Sequence, residues 1–135
     1  MNSLPGIVTK IQKSGAILLV DMDVDGQNFS ALLIESEPQG KWLRVGNSIN
    51  ILFKETEVSL AKGLTGKISL RNRMACKVMN VNRGELLSTV TLQFQKHILT
   101  SAITTRAVDS LQIIIGDEIE ALVKSNEVAV MRKKE

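Results

Sequence analysis

Aromatic residues, cysteine and proline are all scarce in this sequence. Its 135 residues include no Tyr, one Trp and three Phe. Small barrels that bind single-stranded nucleic acid stack bases on aromatic side chains. Trp42, Phe29, Phe53 and Phe94 are a thin supply for that purpose, and most stand at core-like positions, which argues against nucleic-acid binding. The single cysteine, Cys76, excludes an intramolecular disulfide and points to a reducing compartment. Long apolar runs are missing too. The longest uninterrupted one, Ala16 to Val20, is far too short to span a bilayer. The opening "MNSLPGIVTK" has no basic head followed by an apolar stretch of signal-peptide length. The expectation is a soluble, cytoplasmic protein with no membrane partner. A net charge of +3, from 17 Lys and Arg against 14 Asp and Glu, favours anions only mildly.

What the chain does contain is itself, twice. At an offset of 70 residues Val8 falls on Val78, Val20 on Val90, Gly46 on Gly116 and Ile49 on Ile119. Leu52 falls on Leu122, Lys54 on Lys124, and Glu57-Val58 on Glu127-Val128, without a gap. A constant register through strands and turns marks two copies of one fold, near residues 1–62 and 69–135, joined by "AKGLTGK". Each copy reads as all-β. Val20, Met22 and Val24 alternate with Asp21, Asp23 and Asp25 before Asp25-Gly26, a hairpin signal; Val90, Leu92 and Phe94 alternate in the same way. "TTRAVDSLQI" (Thr104 to Ile113) has the spacing of one short helix. Its counterpart "IESEPQGKWL" carries Pro38 and Gly40 and should be a weaker helix or none. Five short strands with at most one small helix fit a barrel of the oligonucleotide/oligosaccharide-binding type, in tandem. Domains of this size are marginal alone, so the copies should dock and the chain should self-associate.

Several motifs resolve to structural roles. "DMDVDG" (Asp21 to Gly26) opens like a calcium loop, but its twelfth position is Leu32 rather than a bidentate Glu, and its flanks are strands. An acidic strand face running into a hairpin is the better reading, and no direct metal-cation site is expected. Cys76 and His97 lack an orienting Asp or Asn and a second metal-type ligand, so neither catalysis nor zinc binding is supported and no enzyme is expected. The "MRKKE" tail reads as a solvated terminus. The lysines ending the fourth strands, Lys54 and Lys124, occupy the same place in both copies. That suits either protection of a strand edge or a site.

"SLRNRMACKVMNVNRG", "LTSAITTRAV" and "LQIIIGDEIEALVKSNEV" together resemble the Mop domain, a TOBE-like, molybdate- or tungstate-binding family. Its hallmarks stand here as Ser69-Leu70-Arg71-Asn72, Ala102-Ile103-Thr104, Gly116-Asp117 and Lys124-Ser125. The resemblance covers almost all of the second copy and, through the repeat, most of the first. The tandem arrangement is similar to di-Mop molbindins and to the ligand-binding half of molybdate-responsive transcription regulators. No winged helix-turn-helix precedes the first copy, so DNA binding of that kind is not expected of this chain.

The resemblance implies an oxyanion, molybdate or tungstate, held at a subunit interface of a homo-oligomer, a dimer or a trimer. Carried over by position, Ser69, Arg71, Thr104, Lys124 and Ser125 are the implied ligands; a further family serine is Ala107 here. The first copy keeps Lys54 but has Ile34 for the Thr, Glu55 for the Ser, and no Arg. Of the "SLRN" opening only Asn2, aligned with Asn72, survives. Molybdate and tungstate carry no proton near neutral pH and only accept hydrogen bonds, which matches two charged donors and three hydroxyls that can turn to donate, with no carboxylate in the set. The implied function is molybdenum storage, homeostasis or sensing. The alternative is a TOBE-like interaction module of a transporter or regulator without its own ligand.

Overall fold

The computed structural model describes residues 1–34 and 42–133. Among these residues ten strands form two five-stranded antiparallel sheets. In the first half these are β1 (Asn2–Ser14), β2 (Ile17–Val24), β3 (Gln27–Ile34), β4 (Ser48–Phe53) and β5 (Ser59–Ala61). In the second they are β6 (Asn72–Asn82), β7 (Leu87–Phe94), β8 (His97–Thr104), β9 (Glu118–Val123) and β10 (Ala129–Arg132). The one α-helix described, α1 (Thr105–Leu111), lies within the stretch whose spacing called for it. Of its counterpart in the first copy, residues 35–41 lie outside the described residues. Single 3-10 turns at Glu55–Glu57 and Ser125–Glu127 follow the two lysines.

The 70-residue register of the sequence is reproduced strand by strand. β2, β3 and β4 recur as β7, β8 and β9, and both long first strands carry an irregularity at the same place, between Val8 and Lys10 and between Val78 and Asn80. The alternating patterns bury the faces they imply. Leu18, Val20, Met22 and Val24 point inward from β2, as do Ser88, Val90, Leu92 and Phe94 from β7. At the first hairpin Asp25 and Gly26 both have positive φ, +48° and +91°, the conformation that an Asp-Gly pair accepts most readily.

The strand order contains something the repeat alone does not reveal. One sheet runs β10-β4-β1-β2-β3 and the other β5-β9-β6-β7-β8, so each sheet takes its outer strand from the opposite half of the chain. Ser59 pairs with Leu122 and Ala129 with Leu52. The hydrophobic core is correspondingly continuous, and Phe29 meets Phe94 edge to face across the halves at 6.0 Å between ring centres. Phe29, Phe53 and Phe94 are all buried, which leaves none of the three as a stacking platform for bases.

Two asparagines complete the join. The Asn72 amide accepts from the Ser30 backbone N–H at 2.7 Å and donates to the Ser30 carbonyl at 2.9 Å. Seventy residues earlier, Asn2 does the same to Thr100, at 2.9 and 2.8 Å. An asparagine side chain, carrying one acceptor and one donor, satisfies both backbone groups of the residue it faces, as a neighbouring strand would. Asn72 has 0% exposure, so its loss strands two buried backbone groups. Asn72→Ala should destabilise the fold by about 2–4 kcal/mol, and Asn2→Ala by less, because its contacts are only partly buried. Equilibrium urea unfolding measures both, and an unchanged midpoint for Asn72→Ala contradicts the role given to this amide.

Candidate oxyanion site

The pairing of β6 with β9 builds one end of the site. Asn72 faces Val123 across the ladder, which places Arg71 and Lys124 one step further out at adjacent strand ends. Ser69 precedes Arg71 on the linker side, and Ser125 opens the 3-10 turn directly after Lys124. Ser69, Arg71 and Lys124 are exposed, and Ser125 is half-buried. Four of the five implied ligands therefore belong to one end of the paired inner strands β6 and β9.

The two arginines of "SLRNR" have different tasks. Arg73 makes a bidentate ion pair with Glu120, Nε to Oε2 at 2.6 Å and Nη2 to Oε1 at 2.8 Å. This bond raises the already high guanidinium pKa, and its charge is answered within the sheet. Arg71 instead donates to backbone carbonyls, to that of Ser69 at 3.3 Å and to that of Ile68. Carbonyls orient a guanidinium without neutralising it. Among the described residues no carboxylate pairs with Arg71 or Lys124, so this end keeps two positive charges facing solvent.

Thr104 stands elsewhere. It pairs with Leu87 at the far end of β7 and β8, whereas Asn72 begins β6; the separation is roughly ten residues along the strands, on the order of 30 Å. Thr104 caps α1, its hydroxyl oxygen accepting from the Ala107 backbone N–H at 3.0 Å, which leaves the hydroxyl proton free to donate. It borders a cleft of about 530 Å³ together with Glu85, Leu86, Thr105, Arg106 and Asp109. Beside it Leu86 and Leu87 are exposed at 81% and 57%. A single chain does not bring Thr104 to Arg71 and Lys124.

The remaining candidates fall into structural places. Asp117, of the Gly-Asp pair, accepts from the Ile114 backbone N–H at 3.0 Å and from Lys62 of the linker at 2.9 Å. Gly116, at φ +94°, makes the turn that sends its N–H to the Val78 carbonyl. Cys76 is buried on β6, and burial pushes its thiol up to about 12, so it carries no thiolate at neutral pH. His97 Nε2 lies 2.6 Å from Asp25 Oδ2 across the two halves, which corrects the expectation that this histidine has no acid beside it; the partner is 72 residues away in sequence, where spacing gives no sign of it. The acidic "DMDVDG" strand ends with Asp23 Oδ2 accepting from the Gly26 N–H at 3.2 Å. Among the described residues no group of three or more His, Cys, Asp or Glu could hold a cation, and no helix is long and apolar enough to cross a membrane.

Sequence reasoning did not find Ser30, whose hydroxyl lies 2.7 Å from that of Ser125. Nothing local marks it, because the contact joins residues from opposite halves of the chain. The clasping function of Asn72 was equally hidden, although the repeat of Asn2 at the same position was its visible sign.

Known proteins resemble the second half in sequence and the whole chain in fold. The TOBE domain family matches residues 68–130. That match falls on the second of the two copies. The cytoplasmic molybdate-binding protein ModG, solved with molybdate bound, superposes with a TM-score of 0.91 over 98% of this chain and 96% of its own, at 23% identity, and so shares the two-sheet fold. The molybdenum import ATP-binding protein ModC of Brucella abortus is 29% identical over 86% of this chain and 31% of its own length. The molybdenum transport protein ModE of Herbaspirillum seropedicae is 26% identical over 96% of this chain and 49% of its own length. The chain thus spans about a third to a half of these curated relatives.

The Gly-Asp turn has a pH signature. The Ile114 N–H and the Lys62 ammonium bond the ionised Asp117 and hold its carboxyl below the usual range, as the Arg83 guanidinium does for Asp109. Unfolded, each titrates at about 3.9. Their contribution is complete above that value and is lost as pH falls through the lower folded value. Acid unfolding followed by circular dichroism should therefore show an acid limb below about pH 4 that is shallower in Asp117→Asn than in the parent.

Proposed function

We propose that this chain binds a tetrahedral, doubly charged oxyanion, molybdate or tungstate, at the strand end formed by Ser69, Arg71, Lys124 and Ser125. The observation that carries the reading is the β6–β9 register, which sets Arg71 beside Lys124 with neither charge answered by a carboxylate among the described residues. Two cations and two hydroxyls can all donate, no carboxylate stands among them, and an anion without protons offers acceptors only. Charge-assisted hydrogen bonds are worth roughly 1.5–3 kcal/mol each net, so a few of them reach the roughly 8 kcal/mol of micromolar affinity. Without a carboxylate to accept its proton, hydrogen phosphate is disfavoured, since a hydroxyl that accepts from it gives up part of its role as donor. Sulfate shares the charge and shape of molybdate, and discrimination between them rests on the size of the closed site.

Thr104 enters this site from a second copy of the chain. Its free hydroxyl proton, its distance from Arg71 and the exposed Leu86 and Leu87 beside it all suit a surface covered by another subunit. A homo-oligomer then completes each site with parts of two chains. The relatives named for molybdenum transport, and the molybdate-bound ModG, support the same ligand class. The role that follows is cytoplasmic oxyanion binding for storage, homeostasis or sensing, without catalysis. A second reading, an interaction module of a transporter or regulator lacking its own ligand, is favoured by the partial span of ModC that this chain matches.

Thermal melts separate the two. Molybdate or tungstate should raise the melting temperature in a concentration-dependent way, while hydrogen phosphate leaves it unmoved; no shift with any anion favours the interaction module. In calorimetry, Arg71→Ala combined with Lys124→Ala should weaken molybdate binding by at least about a hundredfold while the fold persists. Unchanged affinity in that double variant removes this strand end as the site.

A further inference from the structure

We infer that Ser30, on β3 of the first half, is a positioning residue for the oxyanion site of the second half, a reading that rests on the function proposed above. Ser30 Oγ lies 2.7 Å from Ser125 Oγ, and either hydroxyl could donate in the free protein. A bound oxyanion removes the ambiguity. The anion accepts and never donates, so Ser125 must direct its single proton to the ligand. The Ser125 oxygen is then the acceptor in its bond to Ser30, and the Ser30 proton lies on the line between them. The Ser30 hydroxyl thus selects the one rotor state of Ser125 that serves the ligand, and it strengthens that donor by polarising it.

Ser30 is suited to this because its own position is determined independently of its side chain. Both of its backbone polar groups are held by the Asn72 amide, at 2.7 and 2.9 Å, and the residue is 7% exposed. Asn72 directly follows Arg71, so one dipeptide carries both an anion-facing guanidinium and the clasp that seats Ser30. Arg71, Asn72, Ser30, Ser125 and Lys124 form a closed circuit from one strand end to its neighbour by way of the other half of the chain. In the second copy the position matching Ser30 is Thr100, and the residue aligned with Ser125 is Glu55, which cannot donate when ionised. The circuit therefore exists once per chain, on the side that bears Arg71.

The test is a double-mutant cycle in the full chain, read by calorimetric titration with molybdate and by thermal melts without ligand. Ser30→Ala should weaken molybdate binding about three- to tenfold, the range of one hydrogen bond, with little change in the melting temperature of the free protein. Ser30→Thr should retain near-parental affinity. Thr100 occupies the equivalent position on β8, so the strand accommodates a threonine there. In a Ser125→Ala background, Ser30→Ala should have no further effect, because its influence passes through the Ser125 hydroxyl. Additive losses overturn the inference, as does parental affinity in Ser30→Ala alongside a weakened Ser125→Ala. A loss of affinity that tracks a lowered melting temperature and is not rescued by threonine also overturns it, since Ser30 would then serve only the fold. If the parent chain binds neither molybdate nor tungstate, the oxyanion reading fails and this inference falls with it; parent binding with an inert Ser30 rejects the inference alone.

Discussion

The amide of Asn72, closed on the backbone of Ser30, is the contact on which the geometry of this protein depends. It is buried, it satisfies a donor and an acceptor that have no strand partner there, and it joins residues 42 positions apart. Its counterpart between Asn2 and Thr100 makes the relation reciprocal. Around these clasps the chain exchanges its short outer strands, so that neither half completes its own sheet. A single continuous core follows from that exchange. Two small barrels that would each bury little surface become one larger body, which is the physical remedy for marginal size.

That join also determines where charge is available. Arg73 reaches Glu120 across the β6–β9 ladder and becomes part of the sheet, while Arg71, two residues earlier, lies beyond the first paired residue and keeps its charge for solvent. Lys124 is placed beside it by the same ladder, one step past Val123. Duplication produced a second lysine of this kind, Lys54, but it is followed by Glu55 and has no arginine opposite. The two copies share a scaffold and differ in the chemistry of one strand end. The remaining reactive groups are occupied in different ways: Cys76 is buried in the core, and His97 is engaged with Asp25 between the halves.

Much of this was legible in the sequence because it depends on local, periodic constraints. Alternation of apolar and polar residues placed β2 and β7, and Asp25-Gly26 announced its hairpin through the φ angles it tolerates. The 70-residue repeat predicted two matching sheets, and the short helix after Thr104 was visible in its spacing. Family resemblance singled out Ser69, Arg71, Lys124 and Ser125, and the structure brings these four to one end of β6 and β9.

Three things belonged to the tertiary structure alone. The exchange of β5 and β10 was invisible because a short outer strand carries no mark of which sheet it will join. The partnership of Ser30 with Ser125 links positions 95 residues apart, and a serine in a strand looks the same whether or not its hydroxyl has a task. The separation of Thr104 from Arg71 is a matter of strand length and direction, which a motif written as a string does not contain. The amino-acid order thus determined the elements, their duplication and the supply of donors. Only the folded chain decided which donors converge, because convergence depends on long-range pairing between segments whose local sequences are indifferent to it.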